Sequence, residues 1–374
     1  MKYRIAKLFL ATSLLASLLL ATLIVSSRPA AGQEPPALSL ETHIPLQNVK
    51  GRIDHLSVDV KGERLFVAAV DNHTLEVVDL KSGQRVHTIT DLAEPQGVFY
   101  DASTNRLFVA CGLDGVTKVF DGTTFQIVAT VKFPDDADNI RYDARGKGVI
   151  VGYAGAKQLR KREEGAGGLG FLDSNGKKTG DVVIDAHPES FRLEEVGTRL
   201  FVNVPDKKEI EVIDSVKRTV LARWPVTSAQ NNFPMALDEA HHRLFVGCWV
   251  PPRLLVFDTE TGKEVASGEI AGSTDDLFYD SRRGRVYVLA SQGFLEVFQQ
   301  KDPDPMTGLR VTLRHPAHKP AYLSPNGGDF SRLYKNKVSR APKSVCIRHT
   351  DTWMAASLLH RIQTLFRTVR VVAA

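Results

Sequence analysis

The strongest constraint on this chain is an internal repeat. Arg64-Leu65-Phe66-Val67 returns as Arg106-Leu107-Phe108-Val109, Arg199-Leu200-Phe201-Val202, Arg243-Leu244-Phe245-Val246 and Arg285-Val286-Tyr287-Val288, with Gly148-Val149-Ile150-Val151 as a weaker copy. These anchors are 42, 42, 51, 44 and 42 residues apart. Some ten residues after each, a second alternating segment closes on an acid or an amide: Leu75 to Asp79, Thr117 to Asp121, Leu169 to Asp173, Ile210 to Asp214, Leu254 to Asp258 and Leu295 to Gln299. Two further strands complete the unit. One precedes the arginine, as in His55 to Asp59, and one follows a tight reversal such as Lys81-Ser82-Gly83 or Glu260-Thr261-Gly262, as in Arg85 to Ile89. β-Branched and aromatic residues alternating between Gly-, Asp- and Ser-rich turns make antiparallel strands, not helices. Four short strands in about 42 residues is the period of a propeller blade. The expected fold is therefore all-β, a propeller of four-stranded antiparallel blades with six clear repeats.

The ends of the repeat array raise the question of closure. Leu38 to Pro45 looks like an outermost strand with no blade of its own. Pairing it with three C-terminal strands would close the ring and remove its open edge, so the nominal count is seven blades. The pattern that should supply those strands degenerates. Leu309 to Leu313 can still serve as the outer strand of the sixth blade, and only Arg332-Leu333-Tyr334 echoes the anchor afterwards. The segment Lys335 to Arg348 is basic and lacks alternation, and residues 353–370 have the spacing of an amphipathic helix. The expected organisation is a propeller over 38–315 and an atypical basic tail over 316–374, either an incomplete seventh blade or the product of a shifted reading frame.

Residues 1–32 form a separate unit. Lys2, Arg4 and Lys7 precede an apolar run from Leu8 to Val25 and a small-residue stretch ending at Gly32, the order of an export signal. The body is expected in the periplasm or outside the cell, held at a membrane only if that segment is not cleaved. Charge supports a split as well. The chain carries a formal +5, yet residues 33–309 hold 32 basic and 41 acidic side chains, the excess of Lys and Arg lying in the two ends. Such an acidic body does not suit a phosphate backbone, and no nucleic acid partner is expected. Cys111 and Cys248 occupy equivalent positions in different repeats and cannot meet, so both read as buried strand residues. Haem is not expected, because no CxxCH occurs. The formal GxGxxG of Gly165, Gly167 and Gly170 begins in the glycine-flanked insertion Tyr153 to Gly168 and precedes a strand instead of opening a helix, so no nucleotide site is expected.

Aligning the copies points to one place for chemistry. The innermost strand of each blade begins at the central channel, and nine and ten residues before the anchor the sequence gives Asp54/His55, Gln96/Gly97, Asp138/Asn139, Glu189/Ser190, Phe233/Pro234 beside Asn232, and Asp275/Asp276. Carboxylates gathered at one offset would repel unless a cation, a ligand or raised pKa values relieve them. The candidate ligand-binding set is thus Asp54, His55, Gln96, Asp138, Asn139, Glu189, Ser190, Asn232, Asp275 and Asp276. Asp54, Asp138, Glu189 and Asp275 are candidate ligands for Ca²⁺ or Mg²⁺, and His55 is the candidate general base. The competing reading is structural: Asp and Asn at strand entrances cap turns by accepting backbone N–H bonds. His187, followed by Pro188, reads as a loop residue, and three scattered tryptophans propose no aromatic cage.

The R-L-F-V and V-x-V-x-D segments, with Gly51-Arg52-Ile53-Asp54-His55, Asp136-Ala137-Asp138-Asn139 and Asp275-Asp276-Leu277-Phe278-Tyr279-Asp280, resemble the YVTN/YncE-like propellers over roughly residues 38–310. The resemblance implies a seven-bladed fold of the quinoprotein amine dehydrogenase-like kind, without implying the quinone. It leaves two functional expectations. The first is an exported binding or scaffold protein that takes a small polar ligand or a protein partner at the channel mouth. The second is a metal-assisted lactonase or lyase built on the same residues, since related propellers place catalytic groups there.

Overall fold

The computed structural model describes residues 44–155, 157–158, 163–292, 294–300, 306–307, 343–344, 347–349 and 352–354. Six four-stranded antiparallel sheets follow one another along the chain as the blades of a propeller. Blade 1 comprises Ile53–Asp59, Arg64–Ala69, Thr74–Asp79 and Gln84–Ile89. The innermost strands of blades 2 to 6 are Pro95–Asp101, Asp135–Asp143, Phe191–Leu193, Gln230–Asp238 and Thr274–Asp280. Blade 6 finishes with Phe294–Gln300 and a short outer strand, Met306–Thr307, which lies just before the Leu309 to Leu313 segment expected from the sequence. That expected strand falls outside the described residues, as do residues 1–32 and most of the basic tail.

The repeat residues explain the architecture. In the anchor tetrapeptide, alternation sends Phe66 towards blade 2, where it joins Val77, Val98, Leu107 and Val109, while Leu65 and Val67 face Ile44, Leu46 and Val49 on the opposite side. The same division recurs around the ring, so each interface is a separate apolar layer: Phe108 with Val151, Ile150 with Leu200, Phe201 with Val246, Phe245 with Val288. The arginine opens the second strand opposite the residue that closes the third, as in Arg64 with Asp79, Arg106 with Asp121, Arg199 with Asp214 and Arg243 with Asp258. Some anchors also reach the next blade. Arg64 donates to Asp59 within its own blade and to the Gly122 carbonyl of blade 2 at 2.6 Å, and Arg199 donates to the Thr259 carbonyl of blade 5 at 2.6 Å. The acid that ends the third strand accepts backbone N–H groups of the following turn. Asp121 Oδ1 takes those of Thr123 and Thr124, and Asp258 Oδ1 those of Glu260 and Thr261. Turn capping by Asp is therefore a feature of the blade's outer turns.

Closure is where expectation and structure part. Among the described residues there are six four-stranded sheets and no seventh. Of the orphan N-terminal strand, Ile44–Pro45 is described, and it pairs antiparallel with Lys343–Ser344. Buried Cys111 and Cys248 are free thiols in separate blades, each pushed up to about 12 by burial. Among the described residues no helix is long and apolar enough to cross a membrane.

Candidate functional site

A β-bulge marks the candidate offset in most blades. The inner-strand register shifts between Ile53 and Leu56, Pro95 and Val98, Ala137 and Ile140, Asn232 and Met235, and Thr274 and Asp276. In a regular strand successive side chains point to opposite faces; a bulge breaks that alternation and lets two consecutive residues turn towards the channel. Asp54/His55 and Asp138/Asn139 do so. At Gly97 the backbone of the neighbouring blade approaches so closely that a Cβ would collide with the Asp138 carbonyl oxygen. Glycine at that position therefore sets where Asp138 and Asn139 stand.

The bulged residues surround a cavity of about 190 Å³ lined by Asp54, His55, Gln96, Asp138, Asn139, Glu189, Ser190 and Asp275, together with Arg52, Asp136, His187, Phe233 and Trp249. His55 stands among three carboxylates. Its Nδ1 is 3.3 Å from Asp276 Oδ2, and its Nε2 is 3.8 Å from Asp138 Oδ1 and 3.9 Å from Asp54 Oδ1. A chain of bonds runs along the rim: Arg52 Nη1 pairs with Asp54 at 3.0 Å, Arg52 Nη2 donates to Gln96 Oε1 at 3.1 Å, and Gln96 Nε2 donates to Asp136 Oδ1 at 2.8 Å. On the aromatic wall, the Phe233 and Trp249 rings lie 4.3 Å apart at 47°, and Trp249 Nε1 donates to the Thr274 carbonyl.

Several buried polar atoms in this wall lack a partner. Asn139 is 5% exposed, and while its Nδ2 donates to Asp138 Oδ2, its Oδ1 accepts no hydrogen bond. Asp138 Oδ1 and His187 Nε2 are likewise buried without a hydrogen-bond partner. Such groups carry a desolvation penalty of about 1–3 kcal/mol each and mark places where something polar belongs.

Electrostatics shifts the titratable groups of the site in opposite directions. Burial alone would push the His55 imidazole down, but Asp54, Asp276 and Asp138 outweigh it and raise it to about 10, so the ring is an imidazolium at neutral pH. Asp276 is held below the usual carboxylate range: burial opposes this, and the His55 contact with the nearby Arg141 and Arg192 guanidinium groups prevails. Glu189 goes the other way. Burial, reinforced by the charges of Asp138, Asp136 and Asp275, lifts it well above the carboxylate range. Asp138 and Asp275 are raised by burial and by neighbouring acids, against the pull of His55. The Asp275 residue is exposed, so solvent screens the charges that raise it.

No family model matches the chain, and no curated protein matches it. Among solved structures it is similar to a chain of Kuenenia stuttgartiensis hydrazine synthase, at 15% identity with a TM-score of 0.57, over 67% of this chain and 83% of that one. At that identity the likeness shows the shared propeller fold and carries no chemistry across.

Eight of the ten sequence-derived candidates line the cavity. Asp276 stands behind it, bonded to His55, and Asn232 is fully buried, its amide donating to Asn203 Oδ1 and the Glu209 carbonyl at 3.0 Å each. Among the described residues, no three His, Cys, Asp or Glu side chains are arranged to hold a metal ion. Sequence reasoning passed over Arg52, Asp136 and His187. All three lie twelve residues before their anchors, two positions out from the candidate offset, and period-2 alternation would have found them. Trp249 follows its anchor on a second strand, so the inner-strand ring could not signal it.

Proposed function

We propose that this chain is an exported β-propeller binding protein, akin to the YVTN/YncE-like propellers, that captures a small polar ligand at the mouth of its central channel. The observation that carries this reading is Asn139, buried in the cavity wall with its Oδ1 unpaired. Most buried acceptors are satisfied internally, and of the few here that are not, including Asn232 Oδ1 and Glu211 Oε2 elsewhere in the blades, Asn139 Oδ1 and Asp138 Oδ1 belong to residues that line the cavity. An unpaired acceptor buried in a cavity wall, held by a bulge and a neighbouring glycine, supports a site completed by a bound ligand. The cavity has room for about six water molecules at ~30 Å³ each, which sets the scale of what fits.

The enzymatic alternative, metal-assisted lactone opening or elimination with His55 as base, needs a neutral imidazole. Three surrounding carboxylates hold His55 as a cation, so its role is to neutralise the site. Export rests on the order of charges and apolar residues in 1–32.

A thermal-shift screen of small amines, polyols, carboxylic acids and divalent cations tests the binding role. At least one class should raise the melting temperature of the wild-type chain and not that of Asn139→Leu. If no class does so, or the variant responds equally, the site is not where this protein binds. Expression of the full chain in a bacterial host, followed by fractionation and N-terminal sequencing, tests export. A periplasmic product shortened near Gly32 is expected, and an unprocessed cytoplasmic one would contradict it.

A further inference from the structure

Resting on the binding role proposed above, we propose that the channel-mouth cavity recognises a small primary ammonium compound, an alkylamine or aminoalcohol of a few carbon atoms. The unpaired wall atoms are the first reason. Asn139 Oδ1 accepts no hydrogen bond and Asp138 Oδ1 has only the His55 ring 3.8 Å away, so a group that completes these acceptors must bring N–H or O–H donors. Charge is the second. Asp54, Asp136, Asp138, Glu189 and Asp275 line the cavity with Arg52 and His55, and those two already face Asp54 and Asp276. The carboxyl groups of Glu189 and Asp275 accept no hydrogen bond among the described residues, and a cation arriving beside them relieves their mutual repulsion.

The third reason separates an organic cation from a bare metal ion. A divalent ion of this size class takes six to eight oxygen ligands within about 2.6 Å and has no use for an aromatic wall. Here Phe233 and Trp249 close one side of the cavity with their rings in contact, a surface that suits the hydrocarbon body and attracts the charge of an alkylammonium. Trp249 is fixed by its bond to the Thr274 carbonyl and does not need to reorganise. An ammonium head with three donors meets the acceptors, and its carbon stem meets the rings. Quaternary ammonium lacks the donors, and a neutral alcohol lacks the charge.

Isothermal titration of the full chain with ethylammonium chloride, alongside tetramethylammonium, ethylene glycol and calcium chloride, tests this. Ethylammonium should bind at least tenfold more tightly than tetramethylammonium or ethylene glycol. Trp249→Leu should weaken it about fivefold and Asn139→Leu about tenfold, in variants whose near-ultraviolet circular dichroism matches the wild type. Equal affinity for tetramethylammonium overturns the assignment of a donor-bearing head. Binding of calcium or ethylene glycol alone, lost in Asn139→Leu, overturns the ammonium assignment and leaves the binding role standing. Binding of none of the four overturns both. The wild-type comparison stands without the variants should either fail to fold.

Discussion

Replacing His55 by glutamine removes the one cation surrounded by Asp54, Asp138 and Asp276 while keeping a side chain of similar bulk. The folded protein raises His55 from 6.5 to about 10. At pH 7 the imidazolium thus contributes up to about 4 kcal/mol, at 1.36 kcal/mol per pK unit over the interval from pH 7 to the folded pKa. In the variant the neighbouring carboxyls can take up a proton and recover part of this, so the expected loss is about 2–4 kcal/mol. The sign of the pH dependence follows from the raised folded pKa. The contribution is complete below the unfolded value, declines as pH rises, and is gone above about 10. Urea unfolding of both proteins, followed by tryptophan fluorescence, should show the gap between them narrowing by about 2–3 kcal/mol from pH 7 to pH 9. A gap that is the same at both values, or under ~0.5 kcal/mol at pH 7, would refute the imidazolium assignment and reopen His55 as a base.

Two other outcomes follow from the geometry. Gly97→Ala drives a methyl group into the Asp138 carbonyl and should destabilise the chain by about 1–3 kcal/mol while abolishing any binding that depends on Asn139; unfolding curves and the calorimetric titration read these separately. In a Cys346→Ser chain, Cys111 and Cys248 should be silent towards a thiol reagent at pH 8 until urea unfolds the protein, since burial keeps both protonated; prompt modification of either in the native state would show that its blade opens.

The blade pattern was open to reading because each part of it answers to a local physical demand. Phe66 and its counterparts fill the interface with the next blade, Leu65 and Val67 fill the one behind, and the closing Asp caps a turn whose N–H groups need an acceptor. The offset of the site was visible for the same reason, as equivalent strands begin at the channel. Its composition was less so. Which neighbours face the cavity depends on a bulge, and a bulge leaves no residue signature of its own, so Asn232, one position outside the offset, was counted with the site although its amide nitrogen is spent on Asn203 and Glu209. Trp249 joins the site from another strand. The charge state of His55 comes from Asp54 beside it together with Asp276 and Asp138 of other blades, and those last two its own repeat does not specify.

The central claim is that the acids at the channel mouth await a cationic guest, and its protons offer the most direct measure. Burial and neighbouring acids push Glu189 well above the usual carboxylate range; an arriving ammonium ion favours the carboxylate and so lowers its hold on a proton. Calorimetry of ethylammonium binding at pH 7 in two buffers of different ionisation enthalpy counts protons released per guest bound. The account predicts net release, diminished in Glu189→Gln, and an affinity that strengthens as pH rises. Binding heat identical in both buffers, or no heat in either, would contradict it.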